Sequence, residues 1–284
     1  MSKWALKIAA KLVLGRMPYR HTLLKKIGMF RHGAMEDIDY ALGVFQKHMN
    51  WAYPDGMPEN LTLLEMGPGD SLVSSLIAKS YGAAKIYHVD VGAYAEKDVK
   101  LYQKFAQQLR EKGLAAPDLS GAKTLDDVME ICGAVYLTKG LTSLKEIPTS
   151  SVDFIWSHSV VEHIRKKEFT GVMLELCRIV KPDGKVSHNV DLQDHLEHRL
   201  NNLRFSDEFW ENDLVADSGF YTNRLRYTQS LELMKESGFS VLETDSGKWD
   251  HMPTPRAKLH KMFQHFDDEE LKTKGYRVLL KKAA

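Results

Sequence analysis

The sequence predicts an α/β protein built on an open, mostly parallel sheet. Short apolar runs of strand length alternate with helix-length amphipathic runs from residue 61 onward, and the links between them are long enough to be right-handed crossovers. Composition agrees: 43% apolar and 27% charged residues in a chain of 284 are ordinary values for a globular protein, sufficient for one main core with additions.

Residues 1–60 read as a helical extension. Trp4, Ile8 and Leu12 recur at a spacing of four, a second periodic run covers Met35 to Trp51, and the turn Tyr53-Pro54-Asp55-Gly56 closes the segment. The period then changes. LTLLE (61–65) is a strand, 71–82 a helix ending at Gly82, and KIYHVD (85–90) a second strand. Helices at 97–113 and 124–132 precede a third strand, AVYLT (134–138), and SVDFIWS (151–157) is the fourth. A helix from about Glu162 to Val180 and the turn Lys181-Pro182-Asp183-Gly184 lead into a fifth strand, KVSHNVDL. The rhythm breaks over 192–226, a polar stretch containing aromatics that is expected to form an acceptor lid. A helix (228–237), a strand (239–244), a helix within 255–273 and a last strand (276–280) complete a main domain spanning 61–284.

Charge and cysteine usage exclude several classes of function. The net charge of +1 hides eight basic and no acidic groups in the first 35 residues, so the rest of the chain is mildly acidic, unlike a broad nucleic-acid-binding face. Cys132 and Cys177 suit neither a metal knuckle nor a disulfide framework, and the expected compartment is the reducing cytoplasm. No apolar run approaches the roughly 20 residues that cross a bilayer. Lys3, Lys7 and Lys11 flank the apolar stripe of the N-terminal helix, which is expected either to lie on an anionic membrane surface or to dock on the main domain.

The motif LTLLEMGPGDS sets Gly67 and Gly69 after a strand and before a helix, where a glycine turn lets a ligand approach backbone amides. A dinucleotide site would carry a third glycine where this chain has Leu72, so NAD is the second choice of cofactor. Glu65-x-Gly67-x-Gly69, Asp90 at the end of the second strand, SVDFIWSHSVVEHI and RIVKPDGKV occur in one order. Together, over residues 61–280, they resemble class I methyltransferases that use S-adenosylmethionine (SAM), of the small-molecule or sugar-modifying type.

That resemblance implies a Rossmann-like, doubly wound sheet of seven strands, the last antiparallel, with SAM as cofactor. It implies that Asp90 accepts the ribose hydroxyls and that Glu65, Gly67, Pro68, Gly69, Asp70 and Ser71 surround the methionine portion. Leu141, in the segment 139–142 beyond the third strand, would give an apolar face to the adenine, and Val91 and Ser157 would also contact the cofactor. Each also has a plain structural use: the glycines a tight turn, Asp90 a helix cap, Leu141 the core.

Ligands of open α/β sheets sit beyond the carboxyl ends of the strands, and the loops there are rich in histidine. His158 and His163 follow the fourth strand, and His188, Asp191, Asp194 and His195 the fifth. The sulfonium is already a good leaving group, so the protein must align the acceptor and, for a hydroxyl, take its proton. His163 is the expected base, because the resemblance places a histidine at the start of the helix after strand four. Asp191 would orient or electrostatically support it, with His158 and His195 in reserve. The spacing His188-x-x-Asp191-x-x-x-His195 could hold a divalent metal, but no acidic cluster follows strand four, and no metal is assigned. Tyr221, Arg224 and Arg226 are expected to fork onto the acceptor.

The expected function is O-methylation of a sugar, glycan precursor or other small hydroxylated metabolite, with a small-molecule or glycan acceptor as partner. N- or C-methylation, a SAM-binding subunit without catalysis, and a NAD-dependent sugar-modifying enzyme are the alternatives.

Overall fold

The computed structural model describes Ile8 and residues 37–283. Seven strands form one sheet in the order β3-β2-β1-β4-β5-β7-β6: β1 (Thr62–Met66), β2 (Lys85–Val89), β3 (Ala134–Leu137), β4 (Val152–His158), β5 (Val180–Asp191), β6 (Phe239–Lys248) and β7 (Thr273–Lys282). β1 to β5 pair in parallel, and β7 runs antiparallel between β5 and β6. The expected doubly wound sheet with an antiparallel last strand is present.

Alternation along the strands sends neighbouring residues to opposite layers. Leu63, Ile86, Phe154 and Trp156 face one layer, with α1 (Ile38–Ala52), α2 (Val73–Ser80), α3 (Val99–Glu111) and α4 (Leu125–Cys132). Leu64, Tyr87, Ile155 and Val186 face the other, with α5 (Leu141–Lys145), α6 (Lys166–Ile179) and α9 (Tyr227–Glu236). The helices begin at sequence-encoded caps. Asp37 accepts from the amides of Asp39 and Tyr40, Asp98 from Lys100, and Thr124 forms a capping box with Asp127. Gly133 ends α4 at φ 64°, where a Cβ would lie 2.8 Å from the Ala84 carbonyl oxygen.

Three expected boundaries shift. The helix expected from about Glu162 begins at Lys166, and Val161–His163 forms a separate 3₁₀ turn ahead of it. The Lys181-Pro182-Asp183-Gly184 turn lies inside β5 as a bulge, since β5 advances five residues while β4 advances two. The helix expected within 255–273 is replaced by two 3₁₀ turns, Arg256–Lys258 and Lys261–Phe263, and the short α10 (Asp268–Lys272). Leu259 and Phe263 pack with Leu200, Leu203 and Leu271, and His260 N–H donates to the Leu203 carbonyl at 2.8 Å, so tertiary contacts override the local period.

Segment 192–226 carries a 3₁₀ turn (Asn201–Arg204) and two single-turn helices, α7 (Asp207–Trp210) and α8 (Asp213–Ala216). Ile8, helical and 7% exposed, is buried against this segment beside Leu196, Trp210, Val215, Phe220 and Tyr221. Trp4, Leu12 and the three lysines of the N-terminal stripe lie outside the described residues.

Candidate active site

The carboxyl ends of β1, β2 and β4 converge on the glycine loop. Gly67 and Gly69 have φ of 67° and 66°, and a Cβ on Gly67 would lie 2.5 Å from Val160 Cγ2, so a side chain would both strain the loop and strike the β4 exit. Gly69 N–H donates to Asp90 Oδ2 at 3.1 Å and Val91 N–H to Oδ1 at 2.7 Å. The Asp90 main chain is bound on both sides, its N–H to the Leu137 carbonyl and its carbonyl to Gly140 N–H, at 2.9 and 2.8 Å. The Gly69 and Val91 amides, one on each oxygen, fix the plane of the carboxylate.

Val91, 75% exposed, stands beside Asp90, while Leu141 opens α5 and packs partly into the second core layer. Pro68, Asp70 and Ser71 are buried in the loop, which joins the next crossover where the Asp70 carbonyl accepts from Glu96 N–H at 2.9 Å. A glycine cradle, an anchored carboxylate and an exposed apolar side chain thus stand together at the carboxyl ends of β1 and β2.

Two expected cofactor contacts have other duties. The buried Glu65 carboxylate accepts from the Ser74 hydroxyl and from His88 Nδ1 at 3.0 Å, and His88 Nε2 lies 2.7 Å from Ser75 Oγ. Glu65 therefore ties β1 to β2 and α2 beneath the loop. Ser157 is fully buried, with its hydroxyl 2.7 Å from His188 Nδ1. His88, Ser74 and Ser75 escaped sequence reasoning, because their partners lie on other elements.

Beyond β4 and β5 the structure assembles Glu162, His163 and His195, whose ligand-type atoms all lie within 4.8 Å of one another. The rings of His163 and His195 meet edge to face, centroids 4.8 Å apart. His163 Nδ1 lies 2.9 Å from the Tyr221 carbonyl oxygen, which can only accept, so Nδ1 carries hydrogen and Nε2 is the lone-pair nitrogen of the neutral ring. Orientation expected from Asp191 thus comes from the lid backbone. Asp191 contributes charge: burial raises the pKa of its carboxyl, and hydrogen bonds from Gln193, then the charges of His198 and His163, oppose that rise. Asp194, buried, accepts from the amides of Leu196, Glu197, Arg199 and Asn201, which shapes the turn that presents His195.

Glu162 is the member sequence analysis missed. It is 2% exposed, its Oε1 accepts from Asp191 N–H at 3.3 Å, and its Oε2 is buried without a hydrogen-bond partner. Burial, with the nearby Asp191 charge adding, pushes its carboxyl up to about 8.

The remaining expectations are redirected. His158 packs against His48 and Tyr40 of α1, ring centroids 5.7 and 6.3 Å apart, and burial lowers its pKa. His188 is fully buried, so the His188, Asp191, His195 array is not the one the fold assembles.

The three side chains expected to fork onto the acceptor are engaged within and around segment 192–226. The Tyr221 hydroxyl donates to Glu211 at 2.9 Å and accepts from Lys166 N–H. Arg224, at φ 62°, donates to the Phe205 carbonyl at 2.7 Å and to Asp207, with Trp210 and Phe263 against its guanidinium. Arg226, 1% exposed, donates to the carbonyls of Leu192, Glu270, Leu271 and Thr273. Asn223, unremarked in the sequence, clamps the lid to the 161–164 turn. Its side chain donates to the Val161 and Ile164 carbonyls at 2.9 and 3.0 Å, and its N–H to the Glu162 carbonyl at 2.7 Å.

Comparison with known proteins supplies the family. No curated protein matches the chain. Among solved structures, a putative methyltransferase of Haloferax volcanii, solved with the Trm112 methyltransferase activator, is 15% identical over 88% of this chain and 95% of its own, with a TM-score of 0.45. A phosphoethanolamine N-methyltransferase of Haemonchus contortus, solved with S-adenosyl-L-methionine, is 14% identical over 87% of this chain and 53% of its own, TM-score 0.47. A putative sarcosine dimethylglycine methyltransferase of Galdieria sulphuraria is 16% identical over 86% and 85%, TM-score 0.45. The methyltransferase-domain family matches residues 32–244, three quarters of the chain and every element that builds the glycine loop, the Asp90 anchor and the histidine cluster. The chain belongs to that family, as a SAM-dependent methyltransferase domain.

Proposed function

We propose that the protein methylates the oxygen of a small hydroxylated acceptor, such as a sugar or glycan precursor, with His163 as the base. The observation that carries this reading is a histidine held in one tautomer, Nδ1 on the Tyr221 carbonyl, beside the half-buried Asp191 carboxyl and at the strand ends that hold the glycine loop. SAM, when bound, supplies an electrophilic methyl group on a sulfonium. Asp90 and the Gly67 to Ser71 loop hold the donor, with Val91 and Leu141 along its adenine, and Asn223 closes the lid on the turn carrying His163. Nε2 of His163 accepts the acceptor's hydroxyl proton, and the Asp191 carboxylate stabilises the resulting imidazolium. His195, edge-on to His163, bounds the same space.

A second reading, methylation of an amine, needs no base once the amine is neutral, and is favoured only if His163 proves dispensable. Burial of Ile8 under the lid supports docking of the N-terminal helix on this domain rather than on a membrane surface. Among the described residues no helix is long and apolar enough to cross a membrane.

Isotope transfer from labelled SAM to fractionated extract, with mass identification of the product, names the acceptor. With that acceptor, His163→Ala is expected to keep the affinity for the demethylated donor while turnover falls about 100-fold. Turnover near wild type would remove the base role from His163 and move it to His195.

A further inference from the structure

We propose that Glu162, His163 and His195 form a binding site for one divalent transition-metal ion. Two imidazoles and one carboxylate are a donor set suited to zinc, cobalt, manganese or iron, whereas magnesium and calcium prefer oxygen donors alone. Three observations place such an ion here. The donor atoms of these three residues already lie within 4.8 Å of one another, and among the described residues this is the cluster of potential ligands that meets so closely. Donors about 2.0 to 2.2 Å from a shared ion sit roughly 3 to 4 Å apart, which side-chain rotation can supply.

Glu162 then has a buried oxygen, Oε2, without a hydrogen-bond partner, an arrangement that is costly unless something occupies it. The ligands, finally, are already oriented. His163 is fixed by Nδ1 on the Tyr221 carbonyl, the backbone hydrogen bond that metal-ligating histidines use on their second nitrogen, and it leaves Nε2 as the ligating atom. His195 is presented by the Asp194-capped turn, and Glu162 Oε1 is positioned by Asp191 N–H. The cluster runs from a buried carboxylate to an exposed imidazole, so coordination positions on the solvent side open toward the acceptor space.

The site deepens the O-methylation reading and rests on it only for its consequence. Without the ion His163 Nε2 is the base of the reading above; with the ion bound, Nε2 would be a ligand instead, and a hydroxyl held by the ion would become more acidic.

The experiment uses the full chain, stripped with chelator and titrated with cobalt(II) chloride while visible d–d absorption is followed. Calorimetry with S-adenosylhomocysteine runs in parallel. The expected result is one saturable equivalent per chain, with affinity lowered at least about 100-fold in Glu162→Gln and in His195→Gln, and homocysteine-product binding unchanged in both. His163→Ala should behave alike. Absence of a saturable equivalent in the wild type, or undiminished binding in both variants, overturns the site. Failure of the wild type to bind S-adenosylhomocysteine overturns the donor reading instead, so the two failures are distinguishable. If one variant fails to fold, as its lost product binding would reveal, the other decides.

Discussion

Asp90 is gripped through both carboxylate oxygens and both of its main-chain polar groups, so its position owes nothing to the ligand. Asp90→Ala removes a charge-assisted acceptor for about 1.5 to 3 kcal/mol, so S-adenosylhomocysteine binding should weaken roughly 10- to 150-fold by calorimetry. Gly67→Val should weaken it at least as much, because φ of 67° and Val160 at 2.5 Å both oppose a side chain. Binding equal to wild type in both variants would refute the donor site. These residues were legible in the sequence because their geometry is local: a glycine turn between a strand and a helix needs no distant partner to be recognised. The buried partners of Glu65 and Ser157 were illegible for the opposite reason, since His88 and His188 reach them across the sheet. His188 carries a further expectation. Burial lowers its pKa from 6.5 to about 4, so the folded chain refuses a proton that the unfolded chain accepts below 6.5. Its stabilising effect is full at neutral pH and is lost as pH falls from 6.5 to about 4, at about 1.4 kcal/mol per unit. His48 is shifted in the same direction, again by burial first, and adds to the slope. Urea unfolding at about pH 7 and about pH 4.5 should show the loss, and His188→Gln should flatten it; an unchanged slope would count against His188 as its source.

Among the elements, the lid was recognisable as an interruption of the strand-helix rhythm, but its internal wiring was not. Arginines near a presumed acceptor look identical in sequence whether they face a ligand or a ring of carbonyls. Arg226 faces the carbonyls, which belong to residue 192 and to residues 270–273. The helix expected within 255–273 failed similarly, its apolar period being real but used against Leu200 and Leu203 of the lid. Asn223 is the point where segment 192–226 and the turn carrying His163 are joined. Asn223→Ala removes the side-chain donor shared by the Val161 and Ile164 carbonyls, leaving Val161 with only the longer 3.3 Å bond from Ile164 N–H, and should cost about 2 kcal/mol in unfolding experiments. Because those bonds position the turn bearing His163, acceptor turnover should fall while the affinity for S-adenosylhomocysteine stays unchanged. Equal losses in both would mean that the substitution acts on the whole fold and not on the lid.

At the scale of the whole molecule, the mostly parallel sheet was readable from the strand-helix alternation, and its seven strands with an antiparallel last one from the resemblance to class I methyltransferases, whereas the seat of the N-terminal helix was not, since an apolar stripe fits a membrane as well as a protein. The buried Ile8 supports the protein seat. Ile8→Asp should forfeit about 1.5 to 3 kcal/mol of burial and lower the thermal midpoint by about 5 °C. An unaltered midpoint would leave the contact without energetic weight.

The position of β7 has a consequence for how the chain is made. It is translated after β6 yet lies between β6 and β5, so a nascent chain emerging from the ribosome holds β5 with a bare edge and β6 with nowhere to pair. The carbonyls of Glu270, Leu271 and Thr273 that grip Arg226 emerge at the same late moment. A polypeptide broken off before residue 273 lacks β7 and the Thr273 carbonyl that accepts from Arg226, and is expected to be cut by protease faster than the full chain. Quality control of this protein is therefore written into its strand order.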